Sequence, residues 1–492
     1  MPKVLNSKYK ISRFFNCIFV LLSFMFLSFF GGTKIVTGAN YLLETGKRKI
    51  LIDCGMFQGS KELERKNLDP FPYNPKEIDA LLLTHAHLDH IGRLPKLVKD
   101  GFRGKIFGTS ATLDLTRLML KDELNLQPQE SDLSERESLF SQKDLEKTFT
   151  LFQAVEYHQK IQIPSLFSQS SINAKEEIFF KLLDAGHILG SAIIEVFAEG
   201  KKIVFSGDLG NQPTPLLRPT EFPSSADYIL VESTYGDRTH PDLLQRKDLL
   251  EDTIEEVVGK GGVLMIPAFA LERTQELLYE LNELVENDRI PKVPVFVDSP
   301  LAIHSIEVYK KYERYYSKEA AYLLRSGDKI FDFPRLIFTP DVNQSKRIND
   351  TPPPKVIIAG SGMSTGGRIL YHEERYLPDP QNCLLFICYQ AEGTRGRAIQ
   401  DGAKEVEIFG KIVPVKAKIK SIQGYSAHAD REGLFKWLYH IKSSALIQKQ
   451  HQVKKIFVVQ GEEKPARALK QLIMDHLGVE AVVPEYGEKV KI

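Results

Sequence analysis

The sequence predicts an α/β protein, a sheet scaffold whose strand ends collect histidines and carboxylates, with a second, parallel-sheet domain inserted into it. Three observations carry this. Short apolar runs recur through the first half, and most stop on Asp53, His85, Asp184, Asp208 or Glu232. Beyond Glu232 the runs are continuously apolar and each is followed by small and polar residues, as in parallel strands covered by helices. The chain has 492 residues, enough for two or three domains with full cores.

The elements follow in order. Phe14 to Phe30 is almost wholly apolar and comes after Lys3, Lys8, Lys10 and Arg13, resembling a signal peptide or anchor. No small-x-small cleavage site precedes Gly31, and Phe26 to Phe30 reads as a first strand. Residues 1–24 are therefore an extension, read as a start-site artefact with Met25 as initiator or else as an anchor. A membrane partner follows only from the second reading. NYLLET and ILIDCG make a strand pair, followed by ALLLTH, GKIFGT, FKLLDAG, AIIEVFAEG, KIVFSGD and ADYILVEST. Leu113 to His158 is polar and helix-like, beginning with the amphipathic DLTRLMLKDELNL. Residues 25–235 form the first part of the scaffold. Residues 236–424 form the inserted domain, with a helix over Leu243–Val258 and strands in GGVLMIPAF, VPVFVDSPLA, KVIIAGSG and NCLLFICYQ. Residues 425–492 return to the scaffold through GYSAHAD and the strand IFVVQG.

Composition narrows the function. A net charge of +1 gives no global basic field, so a nucleic-acid surface has to be local. Cys17, Cys54, Cys383 and Cys388 form no CxxC pair, which disfavours a disulfide framework or a zinc knuckle and fits a reducing, cytoplasmic compartment.

The chemistry centres on Thr-His-Ala-His-Leu-Asp-His, Thr84 to His90. In an extended segment residues two apart point the same way, so His85 and His87 reach one metal ion together. Asp89 and His90, where the strand breaks, turn to a second. Imidazole and carboxylate suit zinc, with manganese or iron also compatible. His187 in DAGHILGSA and Asp208 in FSGDLG add ligands, and an aspartate using both oxygens can bridge two ions. Two ions acidify a shared water and clamp an in-line displacement. Asp53 is expected to orient a ligand or the water from behind.

With these residues in view the chain resembles the metallo-β-lactamase superfamily. That implies an αββα sandwich and a dinuclear zinc hydrolase in which His85, His87 and His187 hold one ion, Asp89 and His90 the other, and Asp208 bridges. Glu232 in VESTYGDR, the inserted domain, PAFALERTQELL, SGMSTGGR, YQAEGTRGR and GYSAHAD resemble the β-CASP ribonuclease branch, which includes mRNA 3′-end-processing endonucleases. The resemblance implies a metal-dependent endoribonuclease acting on single-stranded RNA in processing or decay. Asp89, Asp208, Glu232 and His428 are its catalytic set, His428 protonating the leaving oxygen. A carboxylate beside that imidazole keeps it protonated.

One position departs from the branch. Gln460 in VVQGEE stands where RNA-type members carry a histidine ligand, so the second ion is expected to be held, but weakly. The glycine-rich loop Ser361 to Arg368 is expected to meet phosphate through main-chain N–H groups and through Ser361, Ser364 and Thr365. Arg368, Arg395 and Arg397 are candidate phosphate contacts, in a cleft narrow enough to select a single strand. The rival readings are a DNA nuclease of the same branch and a catalytically silent RNA-binding scaffold favoured by Gln460. A homodimer is compatible with either.

Overall fold

Strand alternation explains how the two halves of the scaffold meet. The computed structural model describes residues 24–46, 48–126, 138–166, 177–240, 245–449 and 451–492. The extension over residues 1–24 therefore lies outside the described residues, apart from Phe24.

Two seven-stranded sheets form the scaffold. The first runs Lys489–Lys491, Met25–Phe29, Tyr41–Thr45, Arg48–Ile52, Ala80–Leu82, Lys105–Gly108, Phe152–Ala154. The second runs Glu480–Val482, Lys455–Val459, Tyr228–Glu232, Lys201–Phe205, Ala192–Ala198, Phe179–Asp184, Ile161–Gln162. Side chains two apart share a face. Ile50, Ile52 and Leu82 of the first sheet thus meet Ile194, Val196, Ile203, Phe205 and Phe457 of the second in one core. The intervening residues face outward to helices. Leu51 and Leu81 meet Leu94, Leu97 and Leu120, while Ile229, Val231 and Val458 meet Leu434, Trp437, Leu469 and Ile473. The order is helix, sheet, sheet, helix. The strand read at Phe26–Phe30 is present as Met25–Phe29, bonded on both edges.

The inserted segment builds its own six-stranded sheet, ordered Leu336–Phe338, Val295–Asp298, Lys355–Ala359, Val263–Pro267, Cys383–Phe386, Lys418–Ser421. Every pairing is parallel, as the continuously apolar runs require. One face packs with Leu277, Leu281, Ile306 and Tyr309 from the helices Arg273–Glu286 and Pro300–Lys311. The other packs with Ile369, Leu377 and Ile399. Because strand Lys455–Val459 lies parallel beside Tyr228–Glu232, the scaffold closes only after the inserted segment has been traversed.

Cys54, Cys383 and Cys388 are buried free thiols, which burial pushes up to about 12, 11 and 11. Among the described residues no helix is long and apolar enough to cross a membrane.

Candidate metal centre

Strand ends and the loops after them deliver every ligand candidate to one edge of the sandwich. Strand Ala80–Leu82 stops early, and His87 caps the short helix Leu88–Ile91 that carries Asp89 and His90. The chain stays extended at His87, and the helix turns away only from Leu88. His85 and His87 converge, through different ring nitrogens: His85 Nε2 lies 3.1 Å from His87 Nδ1. His187 Nε2 lies 3.2 Å from the same His87 nitrogen. Asp208, on the loop after strand Lys201–Phe205, places Oδ2 3.4 Å from His85 Nε2 and 3.5 Å from His187 Nε2. At Gly210 a β-carbon would stand 1.8 Å from the Gly186 carbonyl, so only glycine lets the Asp208 and His187 loops approach this closely.

These four side chains fit a cation. Tetrahedral bonds of about 2.1 Å give ligand-to-ligand edges of about 3.4 Å, and the four separations above, from 3.1 to 3.5 Å, lie close to that value. Ring nitrogens facing one another need a proton or a cation between them. The network also fixes the tautomers. Thr84 Oγ1 donates to Asp53 Oδ2 at 2.7 Å and so accepts from His85 Nδ1 at 3.0 Å, leaving His85 Nε2 as a lone pair. His187 Nδ1 donates to the Ala427 carbonyl at 3.2 Å, with the same effect. Burial, followed by the neighbouring imidazoles, holds His87 and His187 well below the ordinary histidine range, the neutral state a ligand needs. Asp208 Oδ1 is buried without a hydrogen-bond partner. It lies 3.4 Å from His90 Nε2, which is 3.8 Å from Asp89 Oδ2, so an ion there would also meet the second group.

Asp53 works from behind. Its Oδ1 accepts the Thr84 amide at 2.8 Å and its Oδ2 accepts His90 Nδ1 at 2.7 Å, aiming His90 Nε2 inward. Gln460 is buried opposite, its amide nitrogen 2.7 Å from that Nε2. The Gln460 amide thus occupies the ring nitrogen a metal would use.

Beside this cluster, His428 Nδ1 lies 3.1 and 3.2 Å from the two oxygens of Glu232 and 3.8 Å from Asp208 Oδ2. Burial opposes its protonation, but Glu232 and then Asp208 outweigh it and raise the imidazole to about 9. Asp430, ending the GYSAHAD motif, accepts the Gly433 amide and caps helix Arg431–Gln448, which fixes the backbone two residues after His428. A cleft of about 370 Å³ opens alongside, its lining including Tyr235, Arg238, Tyr389, Arg397, Gln400 and Ser426.

The glycine-rich loop requires corrections. Ser364 is fully buried and donates to Glu373 Oε1 at 2.5 Å, so it cannot meet a substrate. The amides of Thr365 and Gly366 donate to Ser361 Oγ rather than outward. Arg368 is a brace, bonded to Asp298 at 2.7 Å and to the carbonyls of Thr339 and Pro340. Arg395 is spent on the carbonyls of Glu407 and Ser364. Of the six proposed contacts, Arg397 lines the cleft, paired with Asp401 at its rim.

Comparison with known proteins accords with this arrangement. Residues 42–228 match the Metallo-beta-lactamase superfamily domain, 274–399 the Beta-Casp domain, and 412–484 the Zn-dependent metallo-hydrolase RNA specificity domain. The chain is 36% identical over 466 residues to Ribonuclease TTHA0252 of Thermus thermophilus, spanning 94% of this chain and 99% of that one. The chain belongs to the β-CASP branch of the metallo-β-lactamase superfamily. This β-CASP protein is also 30% identical to the RNase J-like protein of Methanocaldococcus jannaschii, across 94% of this chain and 98% of that one. It is 31% identical to Transcription termination factor FttA of the same organism, across 89% and 67% respectively. A crystal structure of a protein of unknown function from Enterococcus faecalis V583 shares the fold, with a TM-score of 0.53 at 12% identity, over 95% of this chain and 100% of that one.

Four groups at or behind this β-CASP site escaped sequence reading. Thr84 sits inside the motif, and its place between Leu83 and His85 was a usable signal. The Ala427 carbonyl gave none, being backbone contributed from 240 residues away. Arg246 and Arg273, considered below, gave none either.

Proposed function

We propose that this protein is a zinc-dependent endoribonuclease that cleaves single-stranded RNA in the cytoplasm, leaving 5′-phosphate and 3′-hydroxyl ends. The observation that carries the reading is the convergence of His85, His87, His187 and Asp208, whose ligand atoms lie within 4.8 Å of one another, with the Glu232–His428 pair against them. His85, His87 and His187 would hold one ion, Asp89 and His90 a second, and Asp208 would touch both. Manganese would suit the same donors. Bound there, such ions acidify a water and neutralise phosphoryl oxygens.

The chain's own groups do the rest. Glu232 holds His428 Nδ1–H, which turns Nε2 away from the carboxylate and toward the departing 3′ oxygen, to which it gives its proton. Asp53 and Thr84 keep the ligand rings aimed. Tyr389, braced edge-on by the buried Tyr235 with ring centroids 5.8 Å apart, offers a face for an unstacked base, and Arg238 and Arg397 meet the backbone charge. RNA over DNA is supported by the match to the RNA specificity domain and by the ribonuclease relative. A silent scaffold would have no use for four mutually facing metal donors.

The test is purified protein incubated with labelled single-stranded RNA and a matched DNA, with and without added zinc or manganese. RNA is cut only with metal, and His87→Ala and Asp208→Ala lose on the order of a thousandfold in rate, the scale for losing one preorganised electrostatic group. Their circular dichroism is unchanged. Turnover that persists in a metal-free preparation overturns the mechanism.

A further inference from the structure

Two arginines of the inserted segment end on the stretch of backbone that carries His428. Arg246 opens helix Arg246–Gly259, and its Nη1 donates to the Gly424 carbonyl at 3.1 Å. Arg273 opens helix Arg273–Glu286, and its Nη1 donates to the next carbonyl, Tyr425, at 2.5 Å. Both side chains are more than nine-tenths buried. Their charges are met by two carboxylates one helical turn apart. Arg246 Nη2 lies 2.9 Å from Glu276 Oε1 and its Nε 2.9 Å from Glu280 Oε1, Arg273 pairs with Glu276, and the Tyr425 hydroxyl donates to Glu280.

A buried network of this kind is a poor way to gain stability, because desolvating four charges consumes most of what their attraction returns. Apolar side chains of equal volume would hold the same space. What apolar contacts do not supply is direction. Two guanidinium forks fix two consecutive carbonyls at defined angles.

The other side of that backbone is tied to the metal cluster. The Ala427 carbonyl accepts His187 Nδ1 and the Asn211 amide, and the Ala429 amide donates to the Leu209 carbonyl at 2.7 Å. His428 itself bridges to Gly210. Residues 424–429 are thus held at one end by charges of the inserted segment and at the other by the loops bearing His187 and Asp208.

We infer that Arg246, Arg273, Glu276 and Glu280 are positioning residues, which set where His428 stands against Asp208 and so make proton donation depend on how the inserted domain is seated. The inference rests on the proposed role of His428 as proton donor. Lysine at position 246 keeps the charge but loses the fork and cannot reach Glu276, Glu280 and Gly424 together. Tyr425→Phe removes one hydroxyl and nothing else.

The test compares two substrates in the zinc-loaded full chain. RNA needs its leaving oxygen protonated, whereas bis(p-nitrophenyl) phosphate releases an anion that needs no proton. With Arg246→Lys, kcat on RNA falls about tenfold, within the range that misplacing a reacting group commands. With Tyr425→Phe it falls about threefold. Turnover of the aryl ester, the KM for RNA and the zinc content stay within about twofold of the parent. His428→Ala shows the same selectivity, more strongly. If both substrates slow together, or RNA turnover is unchanged in both variants, the positioning role is refuted. If Arg246→Lys does not fold, Tyr425→Phe decides alone. If His428→Ala cleaves RNA like the parent, the proton-donor reading has failed and the inference with it. If only His428→Ala loses RNA turnover, the positioning claim alone has failed.

Discussion

Gln460 offers a quantitative test of how the proposed second metal position is controlled. Its amide nitrogen lies 2.7 Å from His90 Nε2, and His90 is fully buried with its other nitrogen committed to Asp53. An ion entering between Asp89, His90 and Asp208 has to displace that hydrogen bond. A buried bond of this kind is worth about 1 kcal/mol net, equivalent to about fivefold in affinity. Gln460→Ala removes the competitor without supplying a ligand, so second-site affinity rises about fivefold. Gln460→His removes the competitor and adds an imidazole beside His90. A nitrogen bound directly to the ion contributes no less than the partner of a ligand does, so a further gain of about tenfold to a hundredfold is expected. The measurement is equilibrium dialysis against zinc buffered by a competing chelator, with bound zinc counted by mass spectrometry and RNA turnover followed in parallel. Weaker zinc binding in Gln460→Ala than in the parent would show that the glutamine is a ligand rather than a competitor. Identical zinc affinity and rate in Gln460→His would end the idea of a weakened site.

Other expectations follow from the same geometry. Asp53→Asn loses the acceptor for His90 Nδ1–H and lowers second-site zinc affinity about tenfold to a hundredfold in the same dialysis. Glu232→Gln removes the charge that keeps the His428 imidazole protonated and slows RNA cleavage about a hundredfold, while bis(p-nitrophenyl) phosphate turnover is spared. Equal losses on the two substrates would count against proton donation. Glu373 concerns stability instead. Burial, only partly opposed by the Ser364 hydroxyl, raises its carboxyl to about 7 from an unfolded value near 4.5. A raised carboxyl contributes stability that is complete below the unfolded value and lost as pH climbs through the folded one. Glu373→Gln is therefore more stable to urea than the parent at pH 8.5, by about 3 kcal/mol, and the difference vanishes at pH 4. A constant difference across that range would refute the assignment.

Much of this was legible in the sequence because it is local or periodic. Continuously apolar runs such as VLMIP and VIIA announced parallel strands, since a strand covered on both faces has no polar side to show. The spacing of His85, His87, Asp89 and His90 announced the cluster, the chain remaining extended at His87 before the helix that starts at Leu88 carries Asp89 and His90. The loop at Ser361–Arg368 was misread because glycine and serine content does not say which way a hydroxyl turns. Ser361 is taken up by the loop's own amides, Ser364 faces inward to Glu373, and Arg368 finds Asp298 seventy residues back. Arg246, Arg273, Glu276 and Glu280 were invisible for another reason. Two of their partners are backbone carbonyls, which leave no trace in residue identity.

The insertion also sets an order of events during synthesis. Glu232 and His428 are 196 residues apart in the chain. At ordinary ribosome speeds the first carboxylate emerges about 10 to 40 seconds before its imidazole, and the strand that closes the second sheet emerges later still. On the proposed mechanism, cleavage of the message to which the growing chain is still tethered waits on the arrival of His428.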